Sequence, residues 1–423
     1  MAIKRIRAKN FKSFKELDVE LGNLNILIGA NASGKSNFVE IFKFLRDIKN
    51  SGLENAISLQ GGVEYLRNIN IGSSKILSLQ VICDVSGGEP GVLYEVQEEL
   101  VGVRARRATY EFAIEFNQRG SGFGISKDRL IQEHNFVRLE RQRGKLEEVR
   151  QFGSGEIILS NVKGKVKIDL NLPEGVPIER DDILPPFLRE RSLPTRTLLL
   201  ETSFPFLFIP SLPLERILDG ISIYDFDPKL PKRAVPITGK AELEEDGSNL
   251  AIVLKNIVGR KNEKRKLSNL VGDLLPFIDD LGVERFADKS LLFKLREIYS
   301  EKQYLPASLI SDGTINMVAL IIALYFEKKP LTVIEEPERN IHPYLISKVV
   351  DMMEDASENK QIIVTTHNPE VIRYANKKDI LLISRNEKGF SSICRPSEKE
   401  DVKVFLEHGL RMEELYVDSF LEI

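Results

Sequence analysis

Residues 29–37 read GANASGKSN, and Gly29, Gly34, Lys35 and Ser36 fit G-x-x-x-x-G-K-[ST] without a gap. Such a loop wraps backbone N–H groups around phosphate. Its lysine neutralises charge, and its serine offers a hydroxyl to Mg²⁺ at the start of the next helix. Asn31 and Asn37, in the same loop, are taken as further nucleotide-contacting positions. A structural glycine turn is the plain alternative, and the context weighs against it. LNILI precedes the loop, and Phe38, Ile41, Phe42, Leu45 and Ile48 recur at helical spacing after it.

A second group of side chains lies far downstream. In LTVIEEPERNIHP, from residue 331, an apolar strand ends in Glu335 and Glu336. Successive strand residues face opposite ways, so the two acids take different tasks. Glu335 is expected to hold Mg²⁺ through water, and Glu336 to act as general base on the attacking water. Two solvated acids at a strand end would read the same in isolation. QIIVTTH, from 361, ends another apolar strand in His367, where α/β ligand sites collect. That histidine is placed to donate to a γ-phosphate; taken alone, it reads more simply as satisfied by nearby backbone.

These residues need a scaffold. LNILI, LTVIEE, QIIVTTH and DILLIS are unbroken apolar runs, as in strands of a parallel sheet covered on both faces. The first stands so far from the others that an insertion must split the nucleotide fold. Between 76 and 170 the pattern alternates (YEFAIEFN, GKVKIDLNL) with breaks at VSGGEPG, RGSGFG and FGSGE, which predicts antiparallel hairpins. Prolines crowd 183–237 (ILPPFL, FPFLFIPSLPLE), a connector with short helices. Helical patterns return at SNLAIVLKNIV and RKLSNLVGDLLPFI, and MVALIIALYF reads as a buried helix. The division predicted is 1–75 (first part of the ATPase domain), 76–240 (insertion), 241–305 (helical subdomain) and 306–423 (remainder of the ATPase domain).

A chain of 423 residues with 60 basic and 63 acidic side chains has a net charge of −3, so the whole chain offers no electrostatic case for nucleic acid. No apolar run reaches the ~18 residues of a membrane span, and MAIKRIRAKNF lacks a signal-peptide apolar region, so a cytoplasmic protein with no membrane partner is expected. Cys83 and Cys394 form no C-x-x-C pair and read as small buried apolar groups. Residues 101–167 hold fourteen Lys and Arg against eight Asp and Glu, including Arg104, Arg106, Arg107, Arg138, Arg141, Arg143, Lys163, Lys165 and Lys167. Such a patch could lie along duplex DNA, although RLERQRGKLEEVR contains its own acidic partners, as a solvated face would.

In motif order the chain resembles the ABC-type ATPases of the SMC, RecF and OLD (overcoming lysogenization defect) class. IRAKNFKSFKELDVELGNLNILIGANASGKSNFVEIFKFL looks like that class's N-terminal signature, EEPERNIHP like its Walker B and D-loop, LISDGTINMVAL like its signature motif and TTHNP like its H-loop. DGSNLAIVL is reminiscent of the OLD-like branch. The resemblance implies an α/β fold: a P-loop ABC-type ATPase head with a mixed sheet, interrupted by a large β-rich, then helical insertion. It implies ATP and Mg²⁺ as cofactors, with ATP sandwiched in a homodimer. Ser311 and Gly313 would then contact the γ-phosphate held by the other copy, and Asn340 and His342 would lie at the seam. SDGT alone is a good helix start, with Ser311 as cap. By the same resemblance Gln60 would sense the metal and Lys12 would lie beside the nucleotide.

Glu335 replaces the aspartate usual in transporters and SMC proteins, no coiled coil or zinc hook is evident, and the residues after His367 are too few for a Toprim nuclease domain. The function implied is ATP hydrolysis to ADP and phosphate, coupled to DNA-associated work or to a separate nuclease or other effector, of repair or antiphage-defence type. The alternatives are a nucleotide-locked DNA clamp with little turnover and a transporter subunit. SDGTI in place of LSGGQ argues against the latter.

Overall fold

The alternating segments near the N-terminus build one antiparallel sheet. In the computed structural model, which describes residues 1–86, 93–96, 99–117, 122–142, 145–183, 192–202, 212–286, 289–418 and 420–422, the chain divides into two units. The first comprises Met1–Gly22, Ser36–Ile221 and Ser384–Ile393, and the second Asn23–Lys35, Ser222–Ile383 and Cys394–Ile423. Parts of VSGGEPG, RGSGFG, ILPPFL and FPFLFIPSLPLE, and Arg143, lie outside the described residues.

In the first unit, β1 (Ala2–Phe11) and β2 (Phe14–Glu20) are followed, after β3 (Leu24–Ile28) of the second unit, by β4 (Leu77–Asp84), β5 (Leu93–Val96), β6 (Glu99–Phe116), β7 (Phe123–Gln142), β8 (Lys145–Val162) and β9 (Lys165–Asn171). The strand order is β2-β1-β4-β6-β7-β8-β9, with β5 on β6. β4 pairs directly with β1, placing Val81 opposite Ile6 and Leu79 opposite Ala8. The strands expected to form an insertion after residue 76 therefore continue the sheet that the N-terminus begins. The alternation is strict: Leu77, Leu79, Val81 and Cys83 of β4 point to the buried face. Burial pushes the Cys83 thiol up to about 12, so it is a packing group and not a nucleophile. Cys394 is partly exposed.

The helix Lys35–Ser51 buries Phe38, Ile41, Phe42, Leu45 and Ile48 as the spacing predicts, and Phe44 besides. The Phe44 ring lies 5.9 Å from Phe11 of β1 and 6.3 Å from Phe112 of β6. Each buried ring contributes about 2–3 kcal/mol, which fastens this helix to the inner face of the antiparallel sheet.

Deeper in this unit Asp128 of β7 is 2% exposed. Its carboxylate accepts from Tyr110 Oη (2.9 Å), Asn161 Nδ2 (3.1 Å) and the Leu199 amide (2.8 Å). Burial outweighs these bonds and pushes its pKa from 3.8 to about 6. A carboxyl whose folded pKa is raised stabilises the fold fully below the unfolded value and loses that contribution as pH rises through the folded one. Asp128→Asn should therefore gain on the parent by ~2 kcal/mol between pH 4 and 7, read as the difference in urea unfolding free energy. A difference that stays flat with pH would contradict the titration.

In the second unit β10 (Ile221–Tyr224) is followed by β11 (Val235–Pro236), β12 (Ile278–Phe286), β13 (Ser290–Glu297) and β14 (Leu305–Pro306). β11 to β14 form a small antiparallel sheet. Helices Leu250–Val258 and Lys261–Leu274 stand where the periodicity puts them, but the second half of 241–305 is this sheet and not helix. The strand signal was present: Leu291, Phe293 and Leu295 alternate with less buried neighbours in SLLFKLRE.

The main sheet runs β10-β15-β16-β3-β17-β18, with β15 (Leu331–Glu335), β16 (Gln361–Thr366), β17 (Ile380–Arg385) and β18 (Ser391–Cys394). The pairs β15–β16, β16–β3 and β3–β17 are parallel. Every residue of β3 and β16 is buried, as unbroken apolar runs require. β10 joins this sheet from within the stretch 76–240, where only a connector was expected; four residues carry too little pattern to announce a strand. The helix Asp312–Tyr325 is buried all round from Thr314 to Leu324, as read from its apolar run. No helix among the described residues is long and apolar enough to cross a membrane.

Candidate active site

β3 delivers the chain into the glycine loop. A Cβ on Gly29 would lie 2.3 Å from the Ile383 carbonyl and 2.8 Å from Ser33 Oγ, so only glycine lets β17 approach this closely. Ala32 (φ 63°) and Gly34 (φ 114°) take left-handed backbone, a strain that clusters at binding sites when the residue is not glycine. Lys35 Nζ donates to the carbonyls of Gly29 (2.7 Å) and Ala30 (3.1 Å). Burial lowers its pKa, while the charges of Glu336 and Glu335 oppose that shift and so lie within its field. Asn31 and Ser36 are exposed and Asn37 half-buried around the first turn of the 17-residue helix.

Glu335 closes β15, and the chain turns at Glu336, whose amide still donates to the Thr365 carbonyl (2.8 Å) and whose φ is 46°. The Glu336 carboxylate is engaged at both oxygens: Oε1 lies 2.8 Å from His367 Nδ1, and Oε2 accepts from Arg339 Nε (3.3 Å) and Nη2 (3.1 Å). His367, the end of TTH, thus meets the predicted base directly rather than nearby backbone. Arg339 Nη1 also reaches Asp225 Oδ1 at 2.8 Å. Glu338, 6% exposed, accepts from the Thr366 hydroxyl, and burial raises its pKa against that bond. Two acids of EEPE are thereby tied to the adjacent residues Thr366 and His367.

Ser311 caps the helix Asp312–Tyr325, its Oγ accepting from the Thr314 amide at 3.2 Å. Gly313 has a local reason for being glycine: a Cβ there would lie 2.4 Å from the Asn340 carbonyl. Asn316 Nδ2 donates to the Arg339 carbonyl (2.7 Å), and Asn340 takes φ 62°. The segment 336–340 is therefore gripped by the capped helix on one side and by the His367 strand end on the other. His342 caps the short turn Pro343–Leu345.

In the first unit Lys12 and Gln60 come together around Glu40 of the helix Lys35–Ser51. Gln60 Nε2 donates to Glu40 Oε2 (2.7 Å); burial lowers the Lys12 pKa, opposed by Glu40 and reinforced by Lys43. Lys12 has φ 43°, and Asn68 Nδ2 holds its carbonyl at 2.7 Å.

No group of three or more His, Cys, Asp or Glu side chains placed for a metal occurs among the described residues. Mg²⁺ on a triphosphate does not need one, because it keeps water and phosphate oxygens around one or two protein ligands. Hard oxygens of that kind occur in each unit: the Ser36 hydroxyl and Gln60 Oε1, buried with no hydrogen-bond partner among the described residues, in the first, and Glu335 in the second.

The basic patch is neutralised in part. Arg107 pairs with Glu133 (3.2 Å) and Arg138 with Glu99 (3.0 Å) between the neighbouring strands β6 and β7, and Arg104 of β6 pairs with Glu148 of β8. Arg106 reaches Ser154 Oγ at 3.4 Å. Arg141, Lys163, Lys165 and Lys167 are exposed, with no ion pair among the described residues.

Residues 178–373 match a family model described as "AAA domain, putative AbiEii toxin, Type IV TA system", and residues 1–84 match one described as "AAA ATPase domain". No curated protein matches the chain. Among solved structures the chain is similar to an Smc head bound to the C-winged helix domain of ScpA, at 16% identity and a TM-score of 0.50, over 95% of this chain and 100% of that one. The fold is that of an SMC head. Similarity extends to the Smc head from Pyrococcus furiosus with an extended coiled coil, bound to the C-terminal domain of ScpA (15% identity, 96% and 99% coverage, TM-score 0.48). It extends also to the SMC head domain from Thermotoga maritima (14%, 93% and 99%, 0.38). The two family matches and the SMC-head fold together support an ATPase of the AAA and SMC-like class.

Sequence reasoning missed Arg339, Asp225, Glu338, Thr366 and Glu40. Arg339 had a local signal, since it follows Glu336 by three residues across Pro337 and its amide donates to the Glu336 carbonyl at 3.0 Å, the closure of a turn. Asp225, more than a hundred residues away, had none.

Proposed function

We propose that this SMC-head-like ATPase binds Mg²⁺·ATP between two copies of itself and uses the nucleotide cycle to control a separate effector. The single observation that carries the hydrolytic part is the Glu336 carboxylate, 2.8 Å from His367 and within the field of Lys35. A base, a donor for phosphate oxygen and a phosphate-binding cation are the parts that hydrolysis of a phosphoanhydride needs. Ser36, Glu335 and Gln60 would hold Mg²⁺, which supplies charge neutralisation on the phosphates. Asn31, Gly34 and Asn37 would line the phosphates in the same copy, beside Lys12.

Ser311 and Gly313 are read as acting on the nucleotide of the second copy. Ser311 is exposed at the positive end of a helix that is otherwise buried, which suits an anion arriving from outside the chain. Only the closed dimer would gain these contacts, so ATP favours closure and hydrolysis favours release. Control of an effector is preferred to DNA-associated work because Arg104 and Arg107 of β6 and Arg138 of β7 are each held by a carboxylate of the same sheet. The matched description naming a toxin of a Type IV TA system agrees with that preference.

Mixing variants tests the reading. Lys35→Ala and Ser311→Arg should each lose turnover alone and recover about a quarter of the parent rate when combined, since only mixed dimers hold one intact site. No recovery, with a parent that hydrolyses ATP as a monomer, would end the two-copy reading. Salt-sensitive retention of duplex DNA, lost on reversing Lys163, Lys165 and Lys167, would return the output to DNA.

A further inference from the structure

We propose that Arg339 is a built-in brake on Glu336, released when its guanidinium passes wholly to Asp225. The inference rests on Glu336 being the general base. To take a proton from water that carboxylate must present a free lone pair; of its roughly four acceptor sites His367 takes one on Oε1 and two nitrogens of Arg339 take those of Oε2, so only the remaining site on Oε1 is open while Arg339 stays. Arginine stays charged at any working pH, so loss of a proton cannot undo the contact; the guanidinium has to move.

A second seat is already within reach. Nη1 of the same guanidinium lies 2.8 Å from Asp225 Oδ1 and 3.5 Å from the Phe226 carbonyl. The Asp225 side chain is 48% exposed, that of Arg339 39% and that of Glu336 28%. Ion pairs this exposed are weak and readily exchanged, so one carboxylate can be traded for the other without stranding a buried charge.

The mover is the backbone that carries Arg339. The Arg339 carbonyl is held by Asn316 of the capped helix, and the next carbonyl, Asn340, lies so close to Gly313 that the two segments must shift together. Glu336 and Asn340 bracket Arg339 with left-handed backbone (φ 46° and 62°), a strain that a change of turn would relieve. A displacement at Ser311 or Gly313 is thus passed to Arg339 through two contacts, and the guanidinium chooses between its carboxylates accordingly.

Steady-state hydrolysis by the full chain tests this. Arg339→Gln should raise unstimulated kcat about fivefold with KM for ATP within about twofold, because it frees the base without touching the phosphate loop. Asp225→Asn should do the opposite and lower kcat about threefold, since Arg339 is left with Glu336 alone. The double variant should match Arg339→Gln. Arg339→Lys, which keeps the charge but loses the fork, should fall between the parent and Arg339→Gln, and it serves if the glutamine variant does not fold. A purely structural ion pair would lower kcat in both single variants. That result, or an Arg339→Gln rate at or below the parent's, overturns the brake while leaving the base in place. A parent no faster than Glu336→Gln overturns both the brake and the reading beneath it.

Discussion

Replacing Glu336 by glutamine should lower Mg²⁺-dependent phosphate release by about 10³-fold, within the range that a positioned general base supplies. The amide keeps the shape and can still accept from Arg339 or His367, but it cannot take a proton from water. Lys35, the glycine loop and the Ser311-capped helix are untouched, so ATP binding should persist. A dimer that depends on ATP should then accumulate, measurable by sizing the variant with and without nucleotide. Equal, slow release by parent and variant would mean that Glu336 is not the base.

Alanine at Gly313 has the second largest expected effect. The added methyl would sit 2.4 Å from the Asn340 carbonyl and 3.4 Å from its carbon, backbone atoms with no rotamer to yield. The segment after Glu336 must give way, carrying the carboxylate with it. A misplacement near 1 Å at a reacting group lowers turnover on the order of 10²-fold, and overpacking costs about 1–3 kcal/mol of stability. Gly272→Ala is the control: it lies in the helix Lys261–Leu274 with nothing within 4 Å of a new Cβ, and should stabilise by about 0.5–1 kcal/mol. Turnover measured beside thermal unfolding separates the two effects. A Gly313→Ala protein with parental turnover would show that segment 336–340 is free to move away.

The chemistry of the candidate site was legible where it was local. Gly29 to Ser36, the Glu335 and Glu336 pair, and the Ser311 cap are each contained in a few consecutive residues whose spacing has a physical reason. His367 was legible as a strand-end histidine, but its partner was not, because the bond to Glu336 joins two strand ends about thirty residues apart. The same limit hid Asp225 and Glu40. In the fold, apolar runs announced β3, β15, β16 and β17, and alternation announced β6 to β9. What alternation could not say is which edge they continue; that depended on β1 offering Ile6 and Ala8 to β4.

β3 is completed by strands that lie at the far end of the chain. Its neighbours on either side are Gln361–Thr366 and Ile380–Arg385. A ribosome working at ~5–20 residues per second needs on the order of tens of seconds to reach them after β3 has emerged. Throughout that interval the most apolar strand of the nascent protein has two bare edges, while β1, β2 and β4 can already zip together. Competence for nucleotide is therefore acquired only once these two strands have been made, and polypeptides released before residue 361 would carry an adhesive strand with nothing to cover it.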